Sequence, residues 1–122
     1  MDTKSVLVVE PDSAQRRLVE IMLKQLGYCP SVCATACKAK RLVQEGDLSP
    51  LCLFTSMRLG TTNGYQLAVE LQSSQPNLNA IFTSNSSLED TGREYDVELK
   101  VNSFLRKPYT IEQLGNRLQL FD

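Results

Sequence analysis

Five short apolar runs alternate with segments of helical periodicity along the chain, and this alternation most limits what the chain can fold into. The first and third runs, Val6 to Val9 and Leu51 to Phe54, are continuously apolar. A continuous apolar run is typical of a strand that is covered on both faces. Strands that alternate with helices predict a parallel sheet with helices on both sides. The sequence therefore predicts an α/β fold.

The boundaries of these elements follow from capping residues and breakers. Asp12 or Ser13 can cap the first helix, Gly27 stands just past its end, and Thr110 can cap the last. Gly92 weakens the fourth helix, which we expect to be short, irregular or displaced. The predicted strands β1 to β5 are 5–10, 28–34, 51–55, 79–84 and 102–105, and the predicted helices α1, α2, α3 and α5 are 13–26, 36–45, 65–75 and 111–121. The expected α4 falls within the segment 85–101, where Val97, Leu99 and Val101 also fit strand alternation.

Length and charge exclude several classes of protein. The 122 residues fit one domain, residues 1–122, and the net charge of −1 comes without a basic run along the sequence. We therefore expect no direct nucleic-acid or membrane binding. No stretch of 18 apolar residues and no signal-peptide pattern occur, so the expected location is the cytoplasm.

The four cysteines do not form a recognisable metal or disulfide pattern. They are Cys29, Cys33, Cys37 and Cys52, and the chain contains no histidine and no C-x-x-C pair, so a zinc site is not expected. We expect them to be small buried hydrophobic residues. A thiol redox sensor is the alternative, although Cys52 lies in an apolar strand, where a thiolate is disfavoured.

Four chemically active residues fall at or next to the carboxyl ends of predicted strands. They are Glu10, Ser56, Ser84 and Lys107, which follow or end β1, β3, β4 and β5. In parallel sheets the carboxyl ends of the strands meet at one edge, and ligands bind there. We therefore expect these four residues to converge.

The ordered set of motifs resembles the receiver domain of bacterial response regulators, the flavodoxin-like fold of the chemotaxis regulator. The resemblance rests on the acidic end of β1 at Glu10, on Gly64, Ser84 and Phe104, and on Lys107-Pro108. It implies a doubly wound (βα)5 fold with strand order 2-1-3-4-5. It also implies that Ser84 and Phe104 match the switch residues, that Lys107 is the pocket lysine, and that the bond before Pro108 is cis.

Three departures from that family bear on its aspartyl-phosphate chemistry. Ser56 stands at the position of the acceptor aspartate, Pro11 replaces an acid that binds Mg²⁺ in the family, and Gly60 replaces the usual proline of the β3–α3 loop. We therefore expect that loop to be more flexible than in the family. A serine hydroxyl is neutral near pH 7, and no histidine is present to activate it. Mg²⁺ typically requires one or two carboxylates, and here Glu10 and the displaced Asp12 remain. We therefore expect no catalytic residue, no metal ligand and weak or absent Mg²⁺ binding.

The remaining pocket residues have two readings each. Glu10 is either a solvated acid at a strand end or the partner of Lys107, in a partly exposed ion pair that contributes about 0–1 kcal/mol. Ser84 reads more simply as a hydrogen-bonded hydroxyl at a strand end, and Phe104 as a core residue. Both readings remain open at the level of sequence.

The function expected from these features is a non-enzymatic, phosphorylation-independent protein-interaction module in a two-component or phosphorelay context. The resemblance implies partners on the face built from α4, β5 and α5, with a homodimer as one arrangement. The alternative is a phosphoryl-accepting regulator that uses a shifted acid, Asp12 or Glu10. A flavin or nucleotide binder is disfavoured, because Pro11 removes an amide N–H where a phosphate would need one.

Overall fold

The computed structural model describes residues 4–46, 48–84 and 102–121, and within them five parallel strands form one sheet. The strand order is β2-β1-β3-β4-β5, so the predicted fold class and order are confirmed. The strands are β1 Ser5–Val9, β2 Cys29–Cys33, β3 Cys52–Ser56, β4 Asn79–Ser84 and β5 Asn102–Arg106, and the helices are α1 Ser13–Gln25, α2 Ala36–Gln44, α3 Gly64–Ser74 and α5 Ile111–Gln119.

The sheet separates two apolar cores, because successive side chains of a strand point to opposite faces. Leu7 and Val9 of β1 join the core shared with α2 and α3, whereas Val6 and Val8 join the core shared with α1 and α5. The central strands β1 and β3 are covered on both sides, which explains their continuous apolar sequence.

Polar side chains cap the amino ends of the four described helices. Asp12, Thr35, Asn63 and Thr110 each accept a hydrogen bond from a backbone N–H of the first turn. The Gln113 side chain in turn accepts a hydrogen bond from the Thr110 N–H, which completes a capping box. The expected caps of α1 and α5 are therefore confirmed.

The expectation that all four cysteines are buried is wrong for two of them. Cys33 and Cys52 are buried, but Cys29 and Cys37 are exposed. Cys29 begins β2, which is an edge strand, and Cys37 lies in the first turn of α2 on its solvent side. Burial here depends on which element covers a residue, and spacing along the chain does not report that.

Two further expectations concern the predicted α4 and the absence of a membrane-spanning helix. The predicted α4, residues 85–101, lies outside the described residues. Among the described helices, none combines the length and apolar composition that a membrane crossing requires.

Candidate functional site

The carboxyl edge of the sheet brings together the four residues expected to converge there. Glu10 directly follows β1, Ser56 and Ser84 are the last residues of β3 and β4, and Lys107 directly follows β5. β1, β3, β4 and β5 are neighbouring parallel strands, so these ends lie side by side. The edge therefore carries one acid, two hydroxyls and one ammonium group from four different strands.

Glu10 and Lys107 form an ion pair inside this edge. The Lys107 Nζ donates to Glu10 Oε1 at 2.9 Å, and the Glu10 and Lys107 side chains are only 5% and 12% exposed. The pairing was one of the two readings of the sequence; in the pair Glu10 is buried and Lys107 remains partly exposed. The second carboxylate oxygen, Oε2, accepts from the Asp12 N–H at 3.1 Å. Both oxygens of Glu10 are thus engaged by groups of the protein itself.

Asp12 is committed to the helix that follows it. Its Oδ1 accepts from the N–H groups of Ala14 at 2.9 Å and Gln15 at 3.1 Å. This is the N-cap arrangement, in which the carboxylate satisfies donors that have no partner within the helix. Asp12 therefore stabilises α1, and its side chain is exposed.

Arg16 holds the turn between β1 and α1, a role that sequence reasoning missed. Its Nη1 donates to the carbonyl oxygens of Glu10 at 2.9 Å and Pro11 at 3.4 Å. The only signal in the sequence was that Arg16 stands four residues after the cap Asp12, one turn into the helix. Glu10 is thus fixed through its backbone as well as through its carboxylate.

Ser56, the last residue of β3, lies against the first residue of α3. The residue is 8% exposed, and its carbonyl oxygen accepts from the Thr55 hydroxyl at 2.9 Å. The Gly64 N–H donates to the Met57 carbonyl at 2.9 Å, which brings the first residue of α3 against the end of β3. A Cβ on Gly64 would stand 2.5 Å from the Ser56 carbonyl oxygen, so only glycine fits there.

The loop between β3 and α3 has a defined turn at Gly60. Gly60 has φ of +80°, a conformation that other residues adopt at a cost. Next to it the Leu59 N–H donates to the Thr62 carbonyl, and Arg58 pairs with Asn63 in an isolated bridge. The glycine at this position therefore meets a backbone requirement.

The segment after β5 docks onto the sheet through Lys107 and Tyr109. The Lys107 N–H donates to the Ser84 carbonyl at 2.9 Å, and the Lys107-Pro108 bond is cis, as the resemblance implied. The Tyr109 ring packs edge-on against Phe54 with centroids 5.9 Å apart. Burial raises the pKa of the Tyr109 phenol well above its ordinary value, and the negative charge of Glu10 adds to the effect.

The two residues that match switch positions are integrated into the packing. Phe104 is partly buried, and its ring lies 5.5 Å from that of Phe82. Its carbonyl accepts from the Arg117 Nε at 3.3 Å. Ser84 is half-buried and binds Lys107 through its carbonyl. These contacts place both residues, while their roles as switches stay predictions.

The oxygen donors at this edge are few. Within residues 4–46, 48–84 and 102–121, no three acidic, cysteine or histidine side chains cluster as a metal site would require. Glu10 is the one buried carboxylate at the edge that the structure describes, and Lys107 already neutralises it. A protein site for Mg²⁺ usually offers free carboxylate oxygens.

Comparison with known families finds one match over most of the chain. The model of the response regulator receiver domain matches residues 6–119. No curated protein matches the sequence.

Solved structures share the fold at low sequence identity. A receiver domain protein from Clostridium thermocellum is 19% identical, with a TM-score of 0.85 over 96% of this chain and 92% of that one. The chemotaxis protein CheY4 of Vibrio cholerae is 18% identical, with a TM-score of 0.82 over 99% and 100% of the two chains. The receiver domain of a Pseudomonas aeruginosa sensor histidine kinase, which has magnesium coordinated in its active-site cleft, is 21% identical, with a TM-score of 0.82 over 98% of each chain.

Proposed function

The chain belongs to the response regulator receiver family, and we propose that it acts within two-component signalling as a protein-interaction module that does not depend on phosphorylation. Receivers of this family work by interacting with other proteins of two-component systems. The observation that carries the proposal is the hydroxyl of Ser56 at the end of β3, where the family needs a carboxylate.

The chemistry of the acceptor supports this proposal. An ionised carboxylate attacks a phosphoryl group, whereas a neutral hydroxyl needs a base to remove its proton. The chain contains no histidine, and the buried acid at this edge, Glu10, already accepts from Lys107 and Asp12. Ser56 therefore has no evident route to a nucleophilic form, and we propose that the domain is not an enzyme.

The charges around the pocket support weak or absent Mg²⁺ binding. Pro11 supplies no side-chain oxygen, and the Asp12 carboxylate caps α1. The Lys107 ammonium is hydrogen-bonded to one oxygen of Glu10, so Mg²⁺ would have to displace that cation to reach it. The magnesium in the Pseudomonas aeruginosa receiver belongs to that protein, and the donor set described here does not fit the same ion.

The same contacts argue against a shifted acceptor. Asp12 would lose its bonds to the first turn of α1 if it were phosphorylated, and Glu10 would lose its ion pair.

For the partner we retain the face of α4, β5 and α5, or a homodimer on it, as the proposed surface. Its α4 portion lies outside the described residues.

A phosphodonor experiment tests the proposal. The protein is incubated with acetyl phosphate and Mg²⁺, and its intact mass is measured. We expect no phospho-form, in contrast to a phosphorylatable receiver treated in parallel. A phospho-form that persists in Ser56→Ala and disappears in Asp12→Asn would instead establish the shifted acceptor, since asparagine retains the cap.

Matched variants separate the contributions of the acceptor and the acidic pocket. Ser56→Asp restores the acceptor carboxylate alone, and Pro11→Asp with Ser56→Asp also restores the second acid. We expect the single variant to remain poorly phosphorylated, because one added carboxylate leaves the Mg²⁺ site incomplete. The double variant should bind Mg²⁺ and accept phosphate. Phosphorylation of the unmodified chain at Ser56 would contradict the proposal.

A further inference from the structure

Positive charge is concentrated on α1 and α2. These two helices carry six of the thirteen cations of the chain but only one of its fourteen acids. The chain as a whole has a net charge of −1. The two helices flank β2, the edge strand, so both contribute cations near the same edge of the sheet.

Four of these six cations already have an acidic partner within 4 Å. They are Arg17 and Lys24, which share Glu20, then Lys40 with Glu70, and Arg41 with Glu45. The other two, Arg16 and Lys38, form no ion pair with any residue that the structure describes. These two cations are therefore the ones available to an anion from outside.

Arg16 and Lys38 line the same cavity, which has a volume of about 410 Å³. It opens at the carboxyl end of β2, between α1 and the first turn of α2, and its remaining walls are Val32, Cys33, Ala34 and Thr35. Arg16 is fixed at one nitrogen by the carbonyl oxygens of the β1–α1 turn. Five guanidinium N–H groups exceed what those two carbonyls accept, so donors remain.

The Cys33 thiol, in the wall of this cavity, is influenced by both cations. Burial is the largest influence and raises its pKa to about 11, while the charges of Lys38 and Arg16 act in the opposite direction. The amino end of α2 adds a positive field to the same place. The cavity thus combines two cations from different helices with the positive end of a helix dipole.

We propose that the cavity between Arg16 and Lys38 is a docking site for an acidic segment of a partner protein. The inference rests on the proposed function, because it names the chemistry of a partner and one surface that receives it. A glutamate or aspartate side chain would pair with the two cations. This surface lies on the β2 side of the sheet and is separate from the face of β5 and α5.

The lining favours a peptide over a nucleic acid. Val32 and Ala34 offer apolar contact beside the charges, and Lys38 also lines a second cavity of about 260 Å³ with Arg41, Leu42, Glu45 and Gly46. The Glu45 carboxylate there is already paired with Arg41. Neither cavity presents an aromatic ring on which a base could stack. The two cavities together suit a short segment that carries acidic and aliphatic side chains.

The test measures binding of defined probes at low ionic strength, where surface charge is least screened. The probes are a short fluorescein-labelled peptide of glutamates and leucines, the same peptide with glutamines in place of the glutamates, and a single-stranded oligonucleotide of similar charge. We expect the glutamate peptide to raise fluorescence anisotropy with the intact protein. In ¹⁵N spectra the shifted signals should cluster at residues 32–38.

Variants of the two cations assign the site. Lys38→Gln should weaken binding about two- to fivefold, as expected for the loss of one exposed charge pair, and Lys38→Arg should retain it. Lys24→Gln removes the same charge from the far end of α1 and is the matched control. Arg16→Gln should act like Lys38→Gln, with circular dichroism confirming that the turn it holds remains folded.

Three outcomes would overturn the inference. They are equal binding of the glutamine peptide, equal weakening by Lys24→Gln and Lys38→Gln, and tighter binding of the oligonucleotide than of the acidic peptide. The proposed function fails separately, by phosphorylation of the protein. A phosphorylated protein that still bound the peptide through Lys38 would retain the docking site and lose only the phosphorylation independence.

Discussion

Lys107 Nζ lies 2.9 Å from Glu10 Oε1, and 97 residues of sequence separate the two. The pair joins the end of β1 to the segment after β5 across the carboxyl edge of the sheet. Its members are nearly excluded from water, so each depends on the other for compensation of its charge. The pair therefore links two strand ends that are remote in the sequence.

Removal of one member of this pair should lower the free energy of unfolding. Glu10→Gln keeps an acceptor for the Asp12 N–H but leaves the Lys107 ammonium buried without an anion, and we expect a loss of about 3 kcal/mol in the free energy of unfolding. The measurement is urea denaturation followed by circular dichroism. Glu20→Gln removes an acid from exposed pairs and should cost less than about 1 kcal/mol.

The double variant completes the test of the ion pair. Glu10→Gln combined with Lys107→Met should be more stable than Glu10→Gln alone, because the uncompensated charge is gone. If the two substitutions simply add, the two residues are not energetically coupled.

Gly64→Ala should destabilise the fold through a backbone clash. The new Cβ would lie 2.5 Å from the Ser56 carbonyl oxygen and 2.9 Å from Thr55 Cγ2, and the strand cannot move freely. We expect a loss of about 2 kcal/mol or more, measured as the free energy of unfolding.

A second helical glycine provides the comparison for Gly64. At Gly115 a Cβ would meet only the Leu26 side chain, at 3.2 Å, and that side chain can shift. The helix propensity of alanine favours this substitution by about 1 kcal/mol, so Gly115→Ala should be close to neutral or stabilising. Similar losses for both variants would show that the contact with Ser56 is unimportant.

The cap of α1 predicts different effects for two substitutions of Asp12. Asp12→Ala removes the acceptor of the Ala14 and Gln15 N–H groups and should cost about 1 kcal/mol. Asp12→Asn retains that acceptor and should leave stability nearly unchanged. Thermal or urea unfolding distinguishes the two. An equal loss in both variants would mean that the negative charge matters more than the cap.

Two of the four thiols should react in the native protein. Cys29 and Cys37 are exposed, whereas burial raises the pKa of Cys33 to about 11 and raises that of Cys52 further. A thiol reagent at pH 8 should label the exposed pair quickly and the buried pair only after denaturation. Mass analysis of the labelled peptides identifies the sites. Rapid labelling of Cys52 would contradict the packing of β3.

Tyr109 should make stability fall in alkaline solution. Its pKa is raised in the folded state, so the fold favours the neutral phenol, and its contribution is complete below pH 10 and declines as the pH rises above that value. Tyr109→Phe removes this contribution. The free energy of unfolding of the variant should therefore depend less steeply on pH above 10. Equal slopes would mean that the phenol is solvated in the folded state.

Sequence patterns were sufficient for the elements that the structure describes and for the convergence of residues at the carboxyl edge of the sheet. The apolar runs located β1 and β3 because both strands are covered on two sides, and local chemistry located the caps at Asp12 and Thr110. The family resemblance supplied the strand order and the cis bond before Pro108. These features depend on neighbours along the chain or on a motif, and both are visible in the sequence.

The tertiary structure alone decided which charges are buried, paired or free. Glu10 and Lys107 form a largely buried pair because β1 and β5 end at one edge, and Arg16 and Lys38 share a cavity because α1 and α2 flank the same strand. The exposure of Cys29 likewise follows from the position of β2 at the edge of the sheet. Electrostatic and packing energies depend on distances in space between residues that are remote in the chain, and the linear sequence does not contain those distances.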